Sequence, residues 1–416
     1  MQSNSPDVPR RPEAEDLAEA LGAEVCPAGF PVIGARMLRD PAALGTLRDA
    51  GIARVSLGGG ENGWMVARYD AASALLKEPG LRGEHPLAQT MRTAADEEVC
   101  DEEMLFFLPT EEHLRLRRLI SRQLTHRRVG GLVPRIRQEA DRLLDEVPHS
   151  EPIDLVQSFC RPFPVAVLCE LLGIPMSERR YIRNYVYGWV AEYGEASSVT
   201  KQAGIELADY LRELVAERRK SPGDDLISAM VSGDDADTLE EDVLSAVRLL
   251  LIAGHRPMTR LLTEGVELLL GERDRWDRLR RDPDWLEPVT EELLRYVTPT
   301  TLASRYAEEE VEVEGVTLAP GTGVHCALAG VNRDPAHFEN PDTFDPDRSE
   351  NRHVAFGLGH KHCLGAALTR AEVRVALETL TTRFPQMVLA DVRLSGEPQR
   401  RQLPVVLRPE TCPVRH

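Results

Sequence analysis

With 416 residues, 42% of them hydrophobic and 28% charged, the chain has the balance of a globular protein and enough apolar side chains for a large core. A formal charge of −18 repels phosphate backbones and anionic lipid, which argues against nucleic acid as a partner. No run of about eighteen apolar residues is present to span a bilayer, and the opening MQSNSPDVPRRPEAED lacks the apolar core of a signal peptide, so a cytoplasmic protein is expected.

Residues 1–16 are polar and Pro-rich and are expected to be a flexible N-terminal segment. A short helix is expected over 41–50. IARVSL and WMVARY then alternate around GGGENG as a hairpin would, and DAASALLKEP resumes as helix. From residue 111 helical periodicity dominates: EEHLRLRRLISRQL, VPRIRQEADRLLDEV, DLVQSFCRPFPVAVLCELLG, ERRYIRNYVYGWVAEYG, QAGIELADYLRELVAERRKS and a long segment ending LLLIAGHRPMTRLLTEGVELLLG. A helix in WLEPVTEELLRYV follows, then short strands with a Pro-Gly turn in EVEVEGVTLAPGTGVHCAL. A Pro-, Asp- and Asn-rich loop covers 332–360, and a last helix is expected over about 364–384. The expected class is mainly α with a small β portion. No linker is visible, so 17–416 reads as a single domain. That exceeds the roughly 250–300 residues at which cores usually split, and a group inserted in the core would help explain it.

Seven scattered cysteines without a CxxC pair fit neither a disulfide framework nor a structural zinc site. Cys363 stands apart in FGLGHKHCLG, among three glycines and two histidines. Glycines there suggest backbone lying close against something. Three readings are open for it. It is a buried apolar cysteine, a nucleophile activated by His362 or by the following helix, or an axial thiolate to heme iron, favoured by backbone N–H groups and the positive helix end.

FGLGHKHCLG resembles the F-G-x-G-x-[H/R]-x-C-x-G ligand loop of the cytochrome P450 family, with Phe356, Gly357, Gly359, Cys363 and Gly365 on its positions. Lys361 stands at the family's basic position, keeping the charge without arginine's donor fork. Further motifs agree in order and spacing over about 30–410. Glu292 and Arg295 in TEELLRY match the structural E-x-x-R, whose partner is expected to be Arg348 in FDPDR. His113 and Arg117, four apart on one helix face, match a pair that grips a heme propionate, and Arg305 and His353 match two further propionate contacts. The resemblance implies heme b (iron protoporphyrin IX) with Cys363 as metal ligand. In the P450 fold this heme is buried between the long oxygen-side helix and the cysteine loop with its helix.

The oxygen-side helix departs from the pattern. Ala253 and Gly254 match the family's A-G-x-[D/E]-T-T, but Arg256 replaces the acid and Pro257 the threonine. Thr259 lies about 200° around the helix from Pro257 and is no obvious substitute. In the family the acid and alcohol deliver protons for oxygen activation, so ordinary hydroxylation is the step put in doubt. Proline leaves the Ala253 carbonyl without its helical donor and is expected to kink the helix. Arg256, about 60° from Ala253, is placed to reach the pocket. Four outcomes stay open: peroxide-driven oxidation with Arg256 holding an anionic substrate group, oxidative C–C or C–N bond formation or ring closure, nitrene-type transfer, and conventional hydroxylation relayed by water or substrate.

By analogy the substrate pocket is bounded by 83–104, about 182–200, the oxygen-side helix and 300–303. DEEVCDEEM in the first reads as a solvated acidic loop or a site for a cation. Tyr181, Tyr185, Tyr187, Trp189 and Tyr193 read as helix packing or as contacts for an aromatic ligand. The resemblance implies an EC 1.14-type, monooxygenase-like oxidoreductase that tailors a small secondary metabolite such as an antibiotic. It would be a monomer taking electrons from a ferredoxin and ferredoxin reductase, docked on the basic residues of 113–128 and 360–362, or using hydrogen peroxide in their place. A non-catalytic heme-binding sensor or carrier is the reading from another class.

Overall fold

The computed structural model describes residues 14–34, 36–57, 62–82, 110–148, 152–190, 198–232, 240–391 and 402–407, with the side chains at 14, 82, 110–113, 187–190 and 198–201 outside that set. Two compact units form: one from 1–92, 300–343 and 352–362, the other from 93–299, 344–351 and 363–416.

The first unit is built on a six-stranded sheet in the order β1-β2-β3-β9-β6-β4. β2 (Ile52–Leu57) and β3 (Asn62–Val66) form the expected antiparallel hairpin, β1 (Val32–Ile33) lies beside β2, and β9 (Gly323–Ala327) runs parallel to β3. β6 (Leu302–Ala307) pairs with β9 and with β4 (Leu81–Arg82). Gly63 is required because His325 of β9 lies over it, where any Cβ would overlap the ring. α1 (Ala14–Leu21), α2 (Pro41–Asp49) and α3 (Tyr69–Leu75) cover the sheet. α2 starts as its sequence dictates, with Asp40 accepting from the Ala42 N–H at 3.1 Å and proline at the first helical position. The expected strands of EVEVEGVTL form a two-stranded hairpin, β7 (Val311–Val313) and β8 (Val316–Leu318), turned through Glu314 and Gly315 at positive φ.

The second unit is helical. α4 (Thr110–Ser121), α5 (His126–Asp145), α6 (Pro162–Leu172), α7 (Arg179–Val190), α8 (Ser198–Lys220) and α9 (Leu226–Val231) precede the 31-residue α10 (Glu240–Leu270). α11 (Arg273–Arg281), α12 (Leu286–Val297) and α14 (Ala366–Arg383) follow, while the short α13 (Leu328–Val331) belongs to the first unit. α6 is apolar on nearly every side and accordingly buried, Glu170 excepted. The expected single helix over DLVQSFCRPFPVAVLCELLG is instead β5 (Ile153–Asp154), a π-turn at Val156–Cys160 and then α6. Pro162 and Pro164 explain the break, because neither can donate into a preceding turn. β5 joins β10 (Val388–Leu389) and β11 (Pro404–Val406) in a small sheet.

A sealed polar cluster of this unit centres on Glu292 on α12, with no exposed side-chain surface. Arg295 holds both its oxygens at 2.7 Å, the Asp345 N–H donates at 2.8 Å, Asn351 donates at 3.2 Å and the Arg348 guanidinium lies at 3.5 Å. Arg348 is therefore the third member expected of the E-x-x-R pair. Replacing Glu292 by glutamine leaves buried guanidinium charge uncompensated and is expected to cost about 3–5 kcal/mol, read as a lowered urea midpoint. A midpoint within about 1 kcal/mol of the parent would show the cluster to be dispensable.

Candidate functional site

Cys363 is half-buried three residues ahead of α14. The Gly365 N–H is directed at its sulfur, and Arg117 of α4 and Arg370 of α14 stand within electrostatic reach. Burial pushes the thiol above its ordinary pKa, while the Gly365 N–H and then the two guanidinium groups pull it down. Burial in turn holds Arg117 below its usual range, with the cysteine working against that shift. Arg370 is fixed by Glu291 in a bidentate pair at 2.7 and 2.8 Å. Sequence reading missed Arg370, although its place two helical turns beyond Cys363 put it on the ligand helix. The side chain of His113 lies outside the described set.

In the first unit, the loop before Cys363 has Gly357 at φ +65° and Gly359 at φ +70°. A Cβ at Gly359 would overlap the Leu76 carbonyl, so only glycine lets the loop lie against the end of α3. The ring of Phe356 lies 5.9 Å from that of His353 and 6.1 Å from that of His362. Lys361 closes a short 3-10 turn, Gly359–Lys361. Arg305 on β6 is buried, with its guanidinium donating to the Ser304 carbonyl at 2.8 Å.

α10 is buried along most of both halves, but Ala253 and Arg256 are exposed, one turn apart on one face. Gly254 lies elsewhere around the helix, where a Cβ would press on Leu168 of α6 at 3.1 Å; its absence lets the two helices approach closely. α10 runs unbroken through Pro257. Side chains bond backbone carbonyls four residues back on either side of it: His255 Nδ1 at 2.6 Å from Leu251 O, the Thr259 hydroxyl donating to His255 O at 2.9 Å and that of Thr263 to Thr259 O at 2.7 Å. Thr259 thus directs its hydroxyl to the backbone, in keeping with its unfavourable angle. α4 is tied to the start of α10 by Arg115, which binds Asp242 bidentately at 2.5 and 2.9 Å.

Residues 246–410 match the family model of the cytochrome P450 family. The biotin biosynthesis cytochrome P450 of Bacillus subtilis is 33% identical over 339 residues, covering 79% of this chain and 85% of that protein. The chain belongs to the cytochrome P450 family. The 6-deoxyerythronolide B hydroxylase of Saccharopolyspora erythraea is 36% identical over 344 residues, 79% of this chain and 85% of the relative. Among solved P450 structures, P450BioI in complex with an acyl carrier protein ligated to hexadec-9Z-enoic acid has a TM-score of 0.78 at 31% identity, covering 89% of this chain and 99% of that one.

As a P450 the chain is a heme-dependent oxidoreductase of mainly α fold with a small β portion. Its residues fit that cofactor. A single thiol with a backbone N–H donor and two guanidinium groups in reach is what an anionic sulfur ligand needs, and Ala253 leaves a small apolar surface on the exposed face of α10. No helix among the described residues is long and apolar enough to cross a membrane. The 83–104 segment, with its acidic run, and Tyr193 lie outside the described residues, as do the side chains of Tyr187 and Trp189. Tyr181 is 58% exposed and Tyr185 half-buried, so these two do not form a closed aromatic core.

His255, beside Arg256, is buried and held neutral: burial lowers its pKa from 6.5 to about 4, the bond to Leu251 O opposes that, and Arg256 and Arg161 add to it. A depressed folded pKa means that the unfolded chain takes up a proton first, so this contribution is whole above pH 6.5 and is lost as pH falls toward 4. Stability should drop by up to about 1.4 kcal/mol per pH unit in that window for each such histidine. His325 on β9, also lowered to about 4 by burial, adds a second. In His255→Gln the slope of the denaturation midpoint between pH 6.5 and 4 should shrink; an unchanged slope would place the acid sensitivity elsewhere.

Proposed function

We propose that the chain is a heme-thiolate enzyme that tailors a small secondary metabolite by an oxidation other than ordinary hydroxylation, with Cys363 as iron ligand and Arg256 anchoring an anionic group of the substrate. The observation that carries this reading is the exposed face of α10, where Arg256 stands one turn from Ala253 in an otherwise mostly buried helix. When bound, heme supplies oxygen and electron-transfer chemistry. Around it, on this reading, Arg117, His113, Arg305 and His353 hold the propionates, while Phe356, Gly357, Lys361 and Gly365 shape the ligand loop. Glu292, Arg295 and Arg348 hold the supporting frame.

The relatives support the metabolic setting, since two carry biotin biosynthesis and 6-deoxyerythronolide B hydroxylation in their names. The replaced acid and alcohol support the altered chemistry: Arg256 puts a guanidinium where the family has a carboxyl, Pro257 has no hydroxyl, and Thr259 is bonded to the His255 carbonyl. Peroxide-driven oxidation and nitrene-type transfer need no protons from an enzyme relay to split dioxygen, whereas oxidative C–C or C–N coupling and ring closure run on dioxygen would still draw two protons, from solvent or substrate. Electrons would come from a ferredoxin and its reductase, or hydrogen peroxide would replace both. For an acidic partner the exposed Arg118, Arg122, His126, Arg127 and Arg128 offer a basic stretch on a chain of net charge −18.

Arg256→Ala should weaken binding of a carboxylate probe such as decanoate by roughly 1.5–3 kcal/mol and leave imidazole binding unchanged, both read from the heme absorbance of the holoenzyme. Equal decanoate affinity in the two proteins would remove the anchor. Restoring the family's residues in Arg256→Glu with Pro257→Thr should raise the fraction of reductant that ends in hydroxylated product; no gain would mean that a different relay serves.

A further inference from the structure

Arg260 follows Pro257 on α10 and is largely buried, with 16% of its side chain exposed. Its Nε donates to Glu264 at 2.9 Å. The rest of its guanidinium reaches a different helix: it donates to the carbonyls of Val297 at 3.2 Å, Thr298 at 3.3 Å and Pro299 at 3.2 Å. These oxygens lie where α12 ends and cannot take helical donors, because the last carbonyls of a helix have none. Two more there are met locally: Leu294 O accepts the Thr298 N–H at 3.1 Å and Arg295 O the Thr298 hydroxyl at 2.6 Å. Thr298 itself sits at φ +43°, a left-handed backbone that a β-branched residue adopts only under constraint, and Pro299 has no N–H to help. One charged side chain from α10 therefore completes the end of α12.

We propose that Arg260 is a positioning residue for ligand selection: it fixes where the chain leaves α12 relative to the Ala253–Pro257 stretch of α10, without touching the ligand. The rigid element is the five-donor fork, spread over three carbonyls and held from behind by Glu264. Lysine has the charge but not the fork, and a neutral side chain has neither. Removing the fork frees the left-handed turn at Thr298 and Pro299 to relax. The inference rests on the heme reading above and on its placement of ligands against α10, but not on Arg256 binding an anion.

The test is titration of the holoenzyme with imidazole and with a phenyl-substituted imidazole, following the heme absorbance, in the parent, Arg260→Met and Arg260→Lys. In Arg260→Met the ratio of the two affinities should change by about fivefold or more while imidazole affinity holds, and Arg260→Lys should recover part of the change. Hydrogen exchange at the Thr298 amide should quicken in Arg260→Met. A ratio within about twofold of the parent, or a parallel loss of both affinities together with heme content, would overturn the proposal in favour of a purely structural bond. Should Arg260→Met fail to take up heme, Glu264→Gln releases Nε while keeping the guanidinium, and an unchanged ratio there overturns it equally. If the parent itself shows no spectral response to imidazole, the heme reading falls and this inference with it, a failure visible before any substitution is compared.

Discussion

A carboxylate sealed from water has to be met by donors on every side, and Glu292 is met by two arginines, an amide side chain and a backbone N–H. Two of those groups, Asp345 N–H and Asn351, bracket the 344–351 segment, so the charge pins a stretch of irregular chain to α12. The neighbouring Glu291 acts on the other side of the same helix turn: it holds Arg370 on α14, and Arg370 stands within electrostatic reach of Cys363. Adjacent carboxylates thus organise both the frame and the cysteine's surroundings. They differ in strength. Glu291 and Arg370 are each about a quarter exposed, at 26% and 29%, and such a pair is screened, whereas the sealed cluster loses several kcal/mol when a partner is removed.

α10 solves a separate problem. Pro257 removes one backbone hydrogen bond from the middle of a 31-residue helix, a loss of about 3 kcal/mol or more when nothing offsets it. On either side of the proline, His255, Thr259 and Thr263 add bonds from their side chains to carbonyls one turn back, and Gly254 lets α6 pack close. A second row, Arg256, Arg260 and Glu264, follows at the same four-residue spacing. Its first member is exposed, and its second bonds both to its third and to the end of α12. The helix thus remains continuous through the proline while presenting a guanidinium where the family has an acid and a proline where it has an alcohol.

Much of this could be read from residue order. Cys363 with its glycines, and Glu292 with Arg295, are legible because each motif is short and its chemistry depends on fixed spacing. The long amphipathic helices and the β2–β3 hairpin are legible from period alone, and so are the strands β7 and β8, although they turn at Glu314–Gly315 and not at the expected Pro-Gly. What escaped has a common cause. α11 is not among the expected helices, since RDRWDRLRR is nearly all charge, yet Trp276 and Leu279 are buried and Arg278 lies 4.1 Å above the Trp285 ring. β4, β5, β10 and β11 are only two or three residues long and exist through partners distant in sequence. Arg260 looks like any surface arginine until the end of α12 is seen beside it. Pairings between remote segments leave no local period.

The charge arrangement on α10 also bears on what the proposed chemistry can ask of the protein. Of the side chains around Pro257, the one with a pKa nearest neutrality is His255, and it is turned inward, bonded to Leu251 O and held at about 4. To carry a proton it would have to acquire a charge in a buried place beside Arg256 and Arg161, which burial and both guanidinium groups oppose, although the bond to Leu251 O favours it. A reaction run on this face therefore favours an oxidant that carries its own protons, as hydrogen peroxide does, or a bond-forming step whose proton leaves from the substrate. Either suits the anchoring role proposed for Arg256.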